Sequence, residues 1–151
     1  MRDRQFVAVH RGGPLGPEDH RSLTLWATGC AEHVLPLVTE HRLGAQLRDI
    51  LGVARCWVQG EVSVGEARTA SVRALALARA TTDATSVAVI RAAGHSAAAA
   101  HMADHALRAA SYALKAVRAA GQETEHERYW QDAQLPADIR ELVFSARQNR
   151  N

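Results

Sequence analysis

Apolar and polar residues recur with a helical period from Gly94 to Ala120, and this segment predicts the central helix of the fold. One narrow stripe of the helical wheel carries the larger polar side chains, namely His101, His105, Arg108, Tyr112 and Lys115. The opposite face carries small apolar side chains, namely Ala99, Ala103, Ala106, Ala110, Ala113 and Val117. Because small side chains let helix axes come close together, we expect neighbouring helices to pack on the alanine face.

The same periodicity predicts helices on both sides of this segment. We expect them from residues 18–21 to about 40, then over 43–59, 64–80, 84–120, 123–133 and 136–147. Pro36 should kink or end the first of them. This makes five to six helices around a central alanine-rich helix, within a single domain over residues 1–151.

Several boundaries have specific signals. Ser63 and Glu66 have the spacing of a capping box, and Asp83 can cap the helix that follows. Gly60 and Gly121 are predicted to end the helices that precede them, because glycine is common just after a helix C-terminus. Gly94 lies inside a predicted helix, where glycine costs about 1 kcal/mol relative to alanine, so we expect a kink or a very close neighbour there.

The N-terminal segment predicts an ordered arm over residues 1–19, ahead of helices over 20–147 and a tail at 148–151. Phe6 to Val9 are too apolar for a free tail, and they should cover a helix surface. The turn His10-Arg11-Gly12-Gly13 could also form an anion-binding backbone nest.

Composition supports an all-α fold, because 47% of the residues are hydrophobic but only 5% are aromatic. The net charge of +2 is too small to indicate a nucleic acid or a membrane as partner, and we expect neither. No signal peptide and no long apolar run is evident, so we expect a cytoplasmic protein. We expect Cys30 and Cys56 to be buried free thiols.

His101 and His105 are one helical turn apart and could share a metal ion, with Asp104 at the edge of the same stripe. Met102 follows the first histidine, where the zinc-protease motif has glutamate. A further ligand would have to come from elsewhere, the choices being His10, His20, His33 and His41. The metal site therefore remains a weak alternative, and we expect no cofactor.

The polar stripe has a second interpretation, as the lining of a groove for an anionic ligand or an acidic partner surface. The plain alternative is a solvated helix face, although histidine and tyrosine favour half-buried settings. On a straight helix His95 would lie on the alanine-lined side, opposite the polar stripe, so we expect it to be a core histidine. No activated nucleophile is evident, so we assign no catalytic residue; a non-catalytic protein is favoured and an enzyme stays open.

Four stretches together resemble the bacterial putative-immunity-protein family: Phe6–Leu15, Leu25–Leu37, Ala92–Ala120 and Trp130–Val143. The most specific parts are the HRGG turn, the run GHSAAAAHMADHA and the closing QLPADIRELV. The residues that match the family's pattern are His10, Arg11, Gly12, Gly13, His95, His101, Asp104, His105, Tyr112 and Lys115.

The resemblance implies a small, helical, cytoplasmic protein that neutralises a toxin delivered between competing bacteria. It implies no catalytic motif. The leading hypothesis is therefore a non-enzymatic protein that binds a cognate toxin, and its candidate contact residues are His10, Arg11, His101, Asp104, His105, Arg108, Tyr112 and Lys115. Two alternatives are a small-ligand or metal-binding protein that uses the stripe, and a homodimer formed through the alanine face.

Overall fold

The computed structural model describes residues 3–149, and over this range the chain forms seven α-helices and no β-strand. The helices are α1 (Pro17–Val34), α2 (His41–Val58), α3 (Val64–Arg79), α4 (Ala84–Ala98), α5 (His105–Ala119), α6 (Thr124–Ala133) and α7 (Ala137–Asn149). Short 3-10 helices cover Arg4–Phe6, Val9–Arg11 and Leu35–Leu37. The predicted all-α class is confirmed.

The local signals for helix ends are confirmed. Ser63 and Glu66 form the capping box of α3, and the Asp83 side chain accepts the Ser86 amide at the start of α4. Gly60 and Gly121 have φ of 78° and 79°, in the left-handed region that glycine enters without strain. Pro36 lies in the 3-10 helix that ends α1, so α1 stops at Val34 and does not reach residue 40.

The prediction of one helix from residue 84 to residue 120 is wrong. The α-helix stops at Ala98, residues 99–104 form a turn, and α5 begins at His105. Within the turn the backbone amides bond three residues back, as from His101 to Ala98 and from His105 to Met102. This break is why the chain has seven helices where the pattern predicted five to six.

Residues 99–104 contain neither proline nor glycine, so no local helix breaker explains the end of α4. The explanation is the packing of the helices. A straight helix over residues 84–119 would be on the order of 54 Å long, twice the length of α1. Its alanine face would then project beyond the other helices into water. Folding back packs α5 against both α4 and α1, and it buries the alanine faces of both segments.

The alanine face forms the centre of the core. Ala99, Ala106 and Ala113 are fully buried, as are most alanines between them. The expected close packing on this face is therefore confirmed, and the same burial removes the alanine face as a surface for a homodimer. The prediction for Gly94 is also confirmed, because a Cβ atom there would lie 2.8 Å from the Cβ of Ala74 on α3.

The arm is shorter than predicted, because α1 begins at Pro17; residues 1 and 2 lie outside the described range. Phe6 and Leu15 are buried against the core, which confirms that the arm is ordered and covers the helices. The predicted nest is wrong, because the amides of Gly12 and Gly13 donate to the carbonyls of Val9 and Ala8. The predicted tail at 148–151 is also corrected, since α7 extends to Asn149 and residues 150 and 151 lie outside the described range.

The last two helices are fixed by a buried polar network. The side-chain amide of Gln131 donates to the Ala110 carbonyl at 3.0 Å, and the Gln131 carbonyl accepts Trp26 Nε1 at 2.9 Å. Arg147 binds the Gln131 and Asp132 side chains and lies over the Trp26 ring. These contacts join α6 and α7 to α1 and α5.

Two remaining expectations concern the cysteines and membrane spans. Cys30 is buried, and burial raises the pKa of its thiol, whereas Cys56 is only half-buried. Neither forms a disulfide. Among residues 3–149, no helix combines the length and apolarity that a membrane crossing requires.

Candidate functional site

The turn at residues 99–104 brings His95 next to His101 and His105, which a continuous helix would have placed on the opposite side. His95 is on the last turn of α4, His101 is in the turn itself, and His105 is the first residue of α5. His20 on α1 is bound to the same turn, since its Nε2 atom donates to the Ala99 carbonyl at 2.6 Å. His20 is buried and also packs on Trp57, with ring centroids 5.0 Å apart.

His95 and His105 form a direct hydrogen bond. Their Nδ1 atoms are 2.8 Å apart, and the rings stack at 5.0 Å with an interplanar angle of 22°. One Nδ1 atom carries the proton and donates it to the other. The prediction that His95 faces the opposite side from His105 is therefore wrong.

The pair continues into a column of stacked groups along α5. His95 is nearly parallel to Tyr112, at 5.2 Å between ring centroids, and the Lys115 ammonium lies 4.5 Å from the Tyr112 centroid. His101 is tilted against His105 at 5.7 Å. Four members of the predicted stripe thus belong to this cluster, and His95 is the member that the helical wheel missed.

Burial and positive neighbours keep His95 neutral. Desolvation is the main cause, and the charges of His105, Arg108 and Arg91 add to it, so the pKa of His95 falls from 6.5 to about 4. Asp104 opposes this shift weakly. Burial likewise lowers the pKa of His20, with a smaller opposing effect from the Ala99 carbonyl. Both rings are therefore uncharged at neutral pH.

A cleft on one side of the cluster, here called the α3–α4 cleft, has a volume of about 280 Å³. Its lining combines basic groups with small and branched apolar side chains: Arg68, Ser71, Val72, Ala74, Leu75, Ala78, Arg91, Gly94, His95, Ala98, His101 and His105. None of these described residues is acidic. The cleft therefore has a positive and partly apolar lining.

A second cavity of about 520 Å³, the arm cavity, lies on the other side of His101. Its lining comes from the arm, α1, α2, the start of α3 and the turn at 99–104: Ala8, Val9, His10, Arg11, Leu15, Pro17, His20, Arg21, Trp57, Val64, Ala100 and His101. Arg11 also reaches the turn, with its Nη1 atom 3.8 Å from the Met102 sulfur. His101 is thus shared by two cavities, and His10 and Arg11 meet it at the second.

The remaining predicted residues lie apart from these cavities. Asp104 is buried just before α5 and does not cap the helix with its side chain. Arg108 is exposed on α5. Lys115 lines a third, separate depression with Arg118 and Arg128. The stripe is therefore divided, because His101 and His105 line the two cavities, Lys115 lines a separate depression and Arg108 is on open surface.

The metal hypothesis gains no support from the described residues. Across residues 3–149, no group of three or more His, Cys, Asp or Glu side chains is arranged to hold a metal ion. Of the proposed additional ligands, His33 instead pairs with Glu127 at 2.6 Å and stacks on Trp130 at 3.5 Å. His41 is exposed at the start of α2.

Sequence reasoning missed Arg68, Arg91 and Trp57 as lining residues, because each belongs to a helix that periodicity assigns without saying what it packs against. His95 had no local signal, because its spacings of six and ten residues from His101 and His105 are out of phase with a helix and place it on another face.

Comparison with known proteins identifies the family. The family model described as Imm-5 like putative immunity protein matches residues 13–138. The chain belongs to this family. No curated protein and no solved structure matches the chain at a significant level. The matched range includes the whole of α1 to α6, the turn at 99–104 and all three clustered histidines, whereas His10 and Arg11 lie just outside it.

Proposed function

We propose that this protein is a non-catalytic immunity protein that binds a cognate bacterial toxin in the cytoplasm and blocks the toxin's access to its substrate. Membership of the immunity-protein family supports the class of function. The arm cavity carries the proposal for the contact site, because it combines exposed apolar side chains with positive charge next to the shared His101.

The rim of the arm cavity has the chemistry of a protein-binding surface. Val9 and Val64 are 56% and 48% exposed, which is unusual for branched apolar side chains of a monomer. Arg11 and Arg21 are exposed beside them, and no described lining residue is Asp or Glu. The exposed valines favour a partner surface with apolar side chains, because interface cores are apolar. The arginines favour a partner surface with carboxylates, because charges across an interface are complementary.

The mechanism is steric and electrostatic. The arm is fixed by backbone hydrogen bonds between Val9 and Leu15 and between Gly13 and Ala8, so its His10-Arg11 turn is already ordered before a partner arrives. Preorganisation lowers the entropic cost of association. Positive charge at the rim accelerates the encounter with an acidic surface and makes it sensitive to salt.

The test is protection of cells that express the toxin encoded beside this gene. Co-expression should restore growth, and the purified proteins should form a complex whose association slows as salt is raised. Arg11→Glu combined with Arg21→Glu should weaken the complex at least about tenfold, because both substitutions reverse charges at the rim.

Arg79→Glu is the matched control, since Arg79 is exposed at the end of α3 and does not line the arm cavity. It should leave affinity unchanged. Failure of the neighbouring toxin to bind or to be neutralised would overturn the proposed function. Binding that survives the arm substitutions but is lost in Arg79→Glu would overturn the proposed contact site.

A further inference from the structure

The α3–α4 cleft is a second site with a different chemistry from the arm cavity. Its two walls are unlike. The α3 wall is largely apolar and presents Val72 and Leu75, which are 58% and 45% exposed. The opposite wall carries Arg91, His95 and His105 from α4 and α5. The toxin contact proposed at the arm cavity does not include the α3 wall of this cleft.

The floor of the cleft is set by a close helix approach. Gly94 and Ala74 are in contact there, and a methyl group on residue 94 would come within 2.8 Å of Ala74. The alanines at the floor and walls, Ala74, Ala78 and Ala98, keep the space above them open for a ligand. Small residues at these positions thus give the cleft an apolar floor.

The polar wall is suited to an anion. The His95–His105 hydrogen bond fixes the orientation of both rings, and both residues line the cleft. The cationic Arg91 lines the same wall, and the described lining residues include no carboxylate. An incoming anion would therefore meet a positive, preorganised surface at low cost.

Size limits the ligand to a small molecule. The cleft volume of about 280 Å³ is just below the usual range for ligand pockets, roughly 300–1,000 Å³. We propose that the α3–α4 cleft binds a short-chain organic carboxylate, whose apolar chain lies on Val72, Leu75 and Ala78 and whose carboxylate faces Arg91 and the His95–His105 pair.

The proposal predicts a dependence on both ends of the ligand. The full-length protein is titrated at neutral pH and constant ionic strength with acetate, butyrate, hexanoate, 1-hexanol and inorganic phosphate. Binding is followed by calorimetry and by the imidazole ¹⁵N signals of His95 and His105. Affinity should increase by up to about fourfold for each methylene buried between acetate and hexanoate.

Charge recognition is tested by the other two probes and by Arg91→Gln. Hexanol and phosphate should each bind at least about tenfold more weakly than hexanoate, because each has only one of the two required features. Arg91→Gln should weaken hexanoate binding about tenfold, whereas Arg73→Gln, which changes an exposed arginine of α3 outside the cleft lining, should not.

The apolar wall is tested by Leu75→Asp, which places a carboxylate at an exposed position and so leaves the core intact. It should abolish hexanoate binding, and Leu25→Asp on α1, at a leucine of similar exposure outside both cavities, should leave it unchanged. Equal binding of hexanol and hexanoate would overturn the proposal, as would a phosphate affinity equal to that of hexanoate. Absence of histidine shifts at 10 mM hexanoate, on the order of the weakest specific affinities, would also overturn it.

Discussion

The Nδ1 atoms of His95 and His105 lie 2.8 Å apart, although the two residues belong to different helices. The contact exists because the chain reverses direction between them. It places one histidine of each helix on the wall of the α3–α4 cleft, and it couples the protonation of the two rings. Protonating both would direct two N–H groups at each other, so the pair resists double protonation.

Acid should destabilise the protein through His95. The pKa of His95 is lowered in the folded protein to about 4 from the ordinary 6.5, so between these values the unfolded chain binds more protons. Stability from this group is complete above pH 6.5 and falls as pH decreases towards 4. Urea unfolding at several pH values measures this loss.

His95→Gln should flatten the slope of the unfolding free energy between pH 6.5 and 4. His20 should keep part of the slope, since burial lowers its pKa as well. His126→Gln is the control, because His126 is exposed on α6. A slope that is the same in all three proteins would contradict the assignment of a depressed pKa to His95.

Removing the His20 side chain should loosen the turn. His20→Leu deletes a buried hydrogen bond to the Ala99 carbonyl, and we expect a loss of about 1–3 kcal/mol in the free energy of unfolding. Urea denaturation at pH 7.5 measures it. His126→Leu should change stability by less than about 0.5 kcal/mol, as exposed substitutions usually do. Equal stability of the two variants would show that the His20 bond does not fix the turn.

Gly94 is required by the close approach of α3 and α4. Gly94→Ala should destabilise the protein by about 1–3 kcal/mol, because the new methyl group meets the Cβ of Ala74 at 2.8 Å. Gly52→Ala in α2 has open space around the new methyl group, so it should stabilise by about 0.5–1 kcal/mol through helix propensity alone. Thermal melts distinguish the two signs.

The double variant Gly94→Ala with Ala74→Gly identifies the cause of the Gly94 effect. Removing the methyl group from residue 74 relieves the clash, so the double variant should be more stable than Gly94→Ala. If Ala74→Gly simply adds its own helix penalty of about 1 kcal/mol, the steric explanation is incorrect.

The network at Gln131 should be important for docking the last two helices. Gln131→Leu keeps an apolar side chain of similar size but removes the bonds to the Ala110 carbonyl and Arg147, and we expect a loss of about 2 kcal/mol. Gln134→Leu, exposed at the end of α6, is the control and should be nearly neutral. Calorimetric unfolding compares them, and equal midpoints would argue against the network.

Local sequence signals determined most of the helix boundaries. The Ser63–Glu66 capping box, the Asp83 cap and the stops at Gly60 and Gly121 each depend on residues within one or two turns, and each is present in the structure. The burial of the alanine face could also be predicted, because a periodic apolar face packs on the core whichever helix is its partner. The sequence therefore predicted an all-α fold and its densest core.

Only the tertiary structure determined the turn at 99–104 and the site that it creates. The alanine-rich sequence of this segment favours a continuous helix, because alanine has the highest helix propensity. Contacts between residues far apart in the sequence, such as His20 with Ala99, oppose this preference. The cost of exposing a long alanine face decides the outcome, and that cost depends on the size of the whole bundle. The histidine pair and the walls of both cavities follow from this fold reversal, so helical periodicity alone could not place them.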